Sequence, residues 1–528
     1  MLTFVLAACQ AVRQSMPSPA PRISPEPTDG QDSPKIMLPS VAQSLANPSP
    51  TLVPKSGILQ TLVSPPAVTP TVQQLVITPL RLVYTTQPGD TLIAVARHFG
   101  VAVEEIVSSS PLPRLGLLDP GQVLSIPSRL TGLASFMRLL PDNEIVYGPS
   151  AASFDIAAYL KQTDGFLKSY REYLKSTGWN SAAEIIHRIA LENSINPRLL
   201  LALLELKCGC VQGQPDKTVQ LDYLLGNPDF RHKGLYRQLG WASARLSAGY
   251  YGWRSGELVE FPAPDGIMVR PAPESNAGSV ALEYFFAFYP ADQERAWVLN
   301  PGNGLPAVYS RMFGDPWERA KTYGPLFPTG LAQPELILPF ESGRLWSFTS
   351  GPHVVWDMEG ALAALDFAPA SGESGCVPSN AWVVAMANGP VVRSEFGAVV
   401  QDLDNADGTL ADGLEQTGWV ILYMHIENRD QAQVGDYLHV GDPLGHPSCE
   451  GGRATGTHVH IARKYNGEWV LAAGGLPFIL EGWVAGAGSK PFEGSLTRDG
   501  QTVIARPYGS YVTKIIRPTL TPTPQDGG

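Results

Sequence analysis

The sequence predicts a multidomain α+β protein: a small βααβ module, a helical middle domain and a mainly antiparallel β domain towards the C-terminus. Three observations carry that prediction. Between residues 83 and 129 a short strand pattern runs into a Gly-Asp-Thr turn and a helix, and a second strand pattern closes the segment. From Phe154 apolar residues recur at helical spacing. Beyond Pro334 the pattern changes to short alternating runs broken by Gly, Pro and Asn-Gly.

At 528 residues and 44% hydrophobic content the chain can build several cores, while 16% charged residues with 52 Gly and 48 Pro suit a secreted, loop-rich protein joined by linkers. Lys and Arg total 38 against 49 Asp and Glu, a net charge of -11 with no basic cluster, which argues against a nucleic-acid partner. No run of 18 apolar residues exists, so no membrane span is expected.

Residues 1–82 read as a truncated signal followed by a tether. Leu6-Ala7-Ala8-Cys9 resembles a bacterial lipobox, which implies a lipid on Cys9 as the chain's one link to a membrane, although the apolar run is short and lacks a basic n-region. The Pro, Ser, Thr and Gln that follow cannot bury a core and read as an extended linker.

In the module at 83–129, Asp90 or Thr91 is placed to cap the first helix, a second helix is expected near Val103 to Val107, and Gly121-Gln122-Val123-Leu124-Ser125-Ile126-Pro127 forms the closing strand. The segments Gly89-Asp90-Thr91-Leu92 and Gly121–Pro127 resemble a LysM domain, with a departure in the longer loop at Ser108 to Leu117. The resemblance implies binding of N-acetylglucosamine-containing glycans by Gly89, Asp90, Thr91 and Leu92 and the loop at Leu117 to Gly121.

Residues 146–330 read as a helical domain. Phe166, Leu167, Tyr170, Tyr173 and Leu174 follow one helical stripe, Ser181 and Glu184 form a capping box, and Asn196-Pro197 opens a third helix. The stretch from Asn196 to Glu205 faintly resembles the start of lysozyme-like transglycosylases, but Lys207-Cys208-Gly209 stands where that family has Ser-Gly, so a catalytic Glu205 is the weaker reading.

The domain at 334–512, ahead of an expected disordered Thr/Pro tail at 513–528, carries the chemistry. Of nine histidines in the chain, His353, His425, His439, His446, His458 and His460 fall within it. In an extended strand the His458-Val459-His460 triplet puts both imidazoles on one side, ~6–7 Å apart. That pair can hold a metal and move a proton.

Gly351-Pro352-His353, Leu365-Asp366-Phe367, Tyr423-Met424-His425 and Gly456-Thr457-His458-Val459-His460 together resemble the lysostaphin-type zinc endopeptidases, whose fold is the duplicated hybrid motif. The resemblance implies one zinc ion held by His353, Asp366 and His460 with an open fourth position, His458 as general base, and His425 bonded to the water or the developing oxyanion. Asp357 keeps a short spacing to His353, but Asp366, between Leu365 and Phe367, has the strand setting expected of a ligand. His439 is expected on a solvated strand edge and His446 in a turn, both outside the metal shell, with His446 lining the cleft as the weaker reading. Setting aside a lipidated Cys9 leaves four cysteines, and in an exported protein Cys376 and Cys449 are expected to tie two site-flanking loops by a disulfide. Cys208 and Cys210 are too close in sequence for an easy bridge.

The function expected is peptidoglycan hydrolysis outside the cytoplasm, in the envelope or secreted: glycan bound by the module, peptide stem cut by the zinc domain. A wall-binding or activator protein with a degenerate peptidase fold is the alternative, disfavoured because all five side chains are present.

Overall fold

The computed structural model describes residues 80–289, 292–356, 358–371, 374–403 and 411–519. Cys9, most of the segment 1–82, Asp357 and the end of the tail lie outside the described residues. No helix among the described residues is long and apolar enough to cross a membrane.

In the first module, strands Arg81–Thr85 and Val123–Pro127 pair antiparallel, and the short strand Val107–Ser108 pairs with the second. Thr91 caps helix Leu92–Phe99 by accepting from the Ala94 N–H, and Gly100 ends it in the left-handed region at φ 62°. The second helix expected near Val103 to Val107 is instead a single 3-10 turn, Val103–Glu105, that runs straight into the strand. β-branched Val103, Ile106 and Val107 favour leaving the helix early.

The middle region is built on helix Leu235–Ser255, which crosses helix Ala277–Phe286 closely at Gly249; a Cβ there would come 2.8 Å from the Tyr284 Cβ. Ser181 and Glu184 form the expected capping box of helix Ala182–Asn193, and Asn196 caps helix Pro197–Cys208. The expected helix through Phe166 to Leu174 is absent. A 3-10 turn, Phe166–Lys168, is followed by a hairpin of Arg171–Leu174 and Gly178–Ser181 in which Tyr173 faces Trp179. Gly178, at φ +77°, makes the turn, and the aromatic cross-strand pair favours a strand over a helix.

Glu283, on helix Ala277–Phe286, is buried, and its Oε2 has no hydrogen-bond partner among the described residues. Burial raises its pKa from 4.5 to about 7, so the stability tied to its protonated form is complete below pH 4.5 and lost as pH rises through 7. Glu283→Gln is therefore expected to stabilise the protein at pH 8 by on the order of 2–3 kcal/mol and to change little at pH 4.5. Urea titrations at the two pH values check this; an unchanged pH dependence in the variant contradicts it.

The C-terminal region forms a nine-stranded antiparallel sheet. Its path runs Tyr437–Leu438, Gly389–Glu395, Ala398–Asp402, Trp419–Met424, Val459–Tyr465, Ala364–Pro369, Leu345–His353, Lys514–Ile516, with Glu468–Trp469 paired to Val459–Tyr465 off that path. The disordered tail expected from 513 is corrected at its start: Lys514–Ile516 pairs with residues 345–347 and buries Ile515. Both faces are covered. Leu365, Phe367, Val459 and Ile461 join an aromatic core with Phe340, Phe348 and Trp346. Ala364, Leu422, Met424 and Ala462, pointing the other way, join the core of the helical region. Gly467 is one junction between them. At φ +77° its missing Cβ would fall on the Tyr147 carbonyl, so Gly467→Ala is expected to cost about 2 kcal/mol or more in a denaturation series, and a neutral substitution would contradict the close packing.

Candidate metal centre

Strand register assembles the centre. His460 stands directly opposite Asp366 on one side and Met424 on the other. Because Leu365 and Phe367 face the aromatic core, alternation turns the Asp366 carboxylate to the opposite face, where His460 also lies. His353 ends the next strand beyond two register shifts, which bring its ring back to this pair.

The donor atoms meet closely. His353 Nε2 is 3.1 Å from His460 Nδ1, and each is 3.2 Å from Asp366 Oδ1. Donors about 2.0–2.1 Å from one tetrahedral ion stand roughly 3.3 Å apart, so the triangle fits a single zinc. All three residues are buried, and Asp366 Oδ1 has no hydrogen-bond partner among the described residues. A bound cation would satisfy such an orphaned oxygen.

Backbone carbonyls set the imidazole tautomers. A carbonyl only accepts, so His353 must donate its Nδ1–H to Gly351 O at 2.8 Å, leaving the Nε2 lone pair for a metal. Phe492 stacks on this ring with centroids 4.7 Å apart. His458 donates Nδ1–H to Gly456 O at 2.7 Å and turns Nε2 towards Asp366 Oδ2, 3.7 Å away. His425 donates Nδ1–H to Glu450 O at 2.9 Å, and its ring centroid is 4.5 Å from that of His458.

His425 follows the strand Trp419–Met424 in the left-handed region at φ 64°, costly for a side chain of this size. The position is held from both sides: Ile426 N–H donates to Gly397 O, and the N–H and hydroxyl of Ser448 both donate to His425 O.

Electrostatics sort the groups. Burial works against charge on His353, but the Asp366 carboxylate outweighs it and holds the His353 pKa above the usual imidazole value. Burial likewise opposes charge on Asp366, and His353 and His458 overcome it and keep the acid well below the carboxylate range. Burial lowers His460, and lowers His425 to about 3 with help from the neighbouring His458 and His460.

The other singled-out residues lie elsewhere. His446 is buried against Trp382, its Nδ1 bonded to Ala381 O, and His439 is exposed beside Asp442. Cys376 and Cys449 are joined by a disulfide as expected, and Cys208 and Cys210, against the expectation that they stand too close, are joined as well. The Glu205 carboxylate accepts the N–H groups of Val211 and Gln212, closing the turn after its own helix, a structural task rather than that of an acid in a cleft. In the module, Asp90 accepts from Tyr84 OH at 2.6 Å and from the Gln87 N–H at 2.8 Å, with its pKa raised to about 6 by burial. Leu92 is buried, and Gly89 packs against Arg254 and Phe327. Sequence reasoning missed Phe492 and the three tautomer-setting carbonyls; a carbonyl leaves no mark on residue type, and Phe492 arrives from a distant segment.

Residues 84–127 match the family model of the LysM domain, and residues 138–326 match that of the LasA N-terminal domain. Protease LasA of Pseudomonas aeruginosa strain UCBPP-PA14 is 27% identical over 360 residues, covering 63% of this chain and 75% of the relative. The same protease from strain PAO1 is 27% identical over 362 residues, with the same coverage of 63% and 75%. Among solved structures, the M23 metalloprotease pseudoalterin from the deep sea is 23% identical with a TM-score of 0.27, over 32% of this chain and 95% of that one. The catalytic domain of lysostaphin from Staphylococcus simulans is 18% identical with a TM-score of 0.17, over 24% and 87%. The two family matches and the LasA relatives bear out the resemblance to lysostaphin-type peptidases that carry a LysM domain.

Proposed function

We propose that the chain is a zinc-dependent endopeptidase acting outside the cytoplasm, where it hydrolyses peptide cross-links of peptidoglycan and is held on the glycan by its LysM domain. The observation that supports this best is the buried triangle of His353 Nε2, His460 Nδ1 and Asp366 Oδ1 with two further imidazoles beside it. Those three side chains would hold the ion, which when bound acts as a Lewis acid at the scissile carbonyl and makes water a stronger acid.

The remaining steps belong to the protein. With Nδ1–H given to a carbonyl, His458 presents an Nε2 lone pair that takes a proton from the attacking water and returns it to the leaving amine. His425 has the same tautomer, and burial keeps it neutral. Its Nε2 therefore accepts a hydrogen bond and orients the water. Donation to an oxyanion would require the protonated ring that burial opposes, so of the two roles implied by resemblance the geometry supports the first.

Metal analysis of the purified protein together with mass spectrometry of digested peptidoglycan tests the proposal. About one zinc per chain is expected, with chelation abolishing release of cross-link fragments and added zinc restoring it. A metal-free preparation that remains fully active would sink it.

A further inference from the structure

A cavity of about 720 Å³ opens between the LysM domain and the helical region, lined by none of the metal-centre residues. One wall is formed by residues 83–88 with Pro120 and Gly121, and the other carries Phe136, Arg138, Glu274 and Trp317. The volume lies within the roughly 300–1,000 Å³ of small-molecule sites. The walls are pinned to each other, because Gln87 Nε2 donates to Glu274 O at 2.9 Å and Arg254 donates to Pro88 O. A site built this way needs little ordering when a ligand enters.

Part of the module's expected sugar-facing edge is covered in this arrangement. Gly89 lies against Arg254 and Phe327, Thr91 and Leu117 lie against Gly475, and Leu92 is only 4% exposed. We propose that the cavity is a composite site for a short run of N-acetylated amino sugars, gripped between the two modules by Phe136, Arg138, Trp317 and Glu274. The proposal rests on the reading of the LysM domain as a glycan binder and moves the contact from the domain's own turn to its junction with the helical region.

The chemistry of the walls carries it. Phe136 is 51% exposed and Val83 75% exposed, so each wall offers apolar surface that gains by being covered. A sugar ring has a C–H face for such surfaces and a polar rim for the groups around them. The Arg138 guanidinium lies over the Trp317 ring, 4.0 Å from its centroid, making a flat platform with its N–H donors at the edge. Neither Arg138 nor the Glu274 carboxylate makes an ion pair or a side-chain hydrogen bond among the described residues. The cavity thus presents an unengaged guanidinium donor and an unengaged carboxylate acceptor. An acetamido substituent supplies the matching carbonyl and N–H. A stem peptide would bring its own carboxylates towards Glu274 and fits less well.

Calorimetry on the intact protein with triacetylchitotriose tests this. Phe136→Ala/Arg138→Ala is expected to weaken binding at least 10-fold while leaving the thermal unfolding midpoint in place, since both side chains are exposed. Wild type is expected to show a change in tryptophan fluorescence on titration that Trp317→Phe abolishes. Unchanged affinity in the double variant would overturn the cavity site while leaving the module's glycan binding intact at its own edge. No binding by the wild type would overturn both, and tighter binding of a muramyl dipeptide than of the trisaccharide would make this a peptide site and overturn the proposal.

Discussion

His460→Ala should lose its zinc and its peptidase activity together, whereas His458→Ala, two residues away, should keep the metal and lose turnover. His460 Nδ1 is one corner of the donor triangle, 3.2 Å from Asp366 Oδ1, and its removal leaves two protein ligands for an ion that catalytic sites hold with three. His458 Nε2 stands 3.7 Å from the other carboxylate oxygen, outside that triangle. In the proposed mechanism its loss removes the proton acceptor, for which a reduction of roughly 10²–10⁴-fold in turnover is the usual scale. Metal content by mass spectrometry and cross-link hydrolysis are read on the same preparations. A His458→Ala protein that arrives without zinc, or a His460→Ala protein that retains it, would reverse the two roles. Asp366→Ala belongs with His460→Ala, because its Oδ1 is the third corner and the residue on the strand opposite.

Much of this centre could be read from the sequence because strands have a period of two. His-x-His and Leu-Asp-Phe each declare which side chain turns away from its neighbours, and the register then sets His460 against Asp366. His353 was legible only through the order of motifs, since two register shifts precede it and no periodicity survives them. Local rules misread Tyr173: the run from Phe166 to Leu174 satisfies a helical stripe, and only the partner Trp179 makes it a hairpin. The second cover on the sheet was signalled and not absorbed. Trp419-Val420-Ile421-Leu422-Tyr423-Met424 is apolar at every position, the signature of a strand buried on both faces, and the helical region supplies the other face. Docking of the first module was illegible, because its contacts, Arg254 to Pro88 O, Gln87 to Glu274 O and His98 to Trp253 O among them, join residues far apart in sequence.

That arginine should give the largest stability effect away from the metal. Arg254 Nε donates to Glu468 Oε1 at 2.9 Å and Nη2 to Asp142 Oδ2 at 2.8 Å, while Nη1 donates to Pro88 O. It joins the sheet, the start of the helical region and the LysM domain through one guanidinium. The Arg254 and Glu468 side chains are 7% and 2% exposed, so water cannot replace either partner. Arg254→Ala leaves the buried Glu468 and the half-buried Asp142 without their cation, for which a loss of about 3–5 kcal/mol is expected. Arg254→Lys should recover little, because a single ammonium lacks the planar fork that spans three acceptors. Arg254→Met combined with Glu468→Leu should recover more than either change alone, since removing both charges of a buried pair avoids stranding one. Denaturant unfolding of wild type and the five variants measures the energies, and limited proteolysis reports whether residues 84–127 come away first. If Arg254→Ala unfolds within about 0.5 kcal/mol of wild type, the surface-substitution scale, the guanidinium does not hold the three parts together.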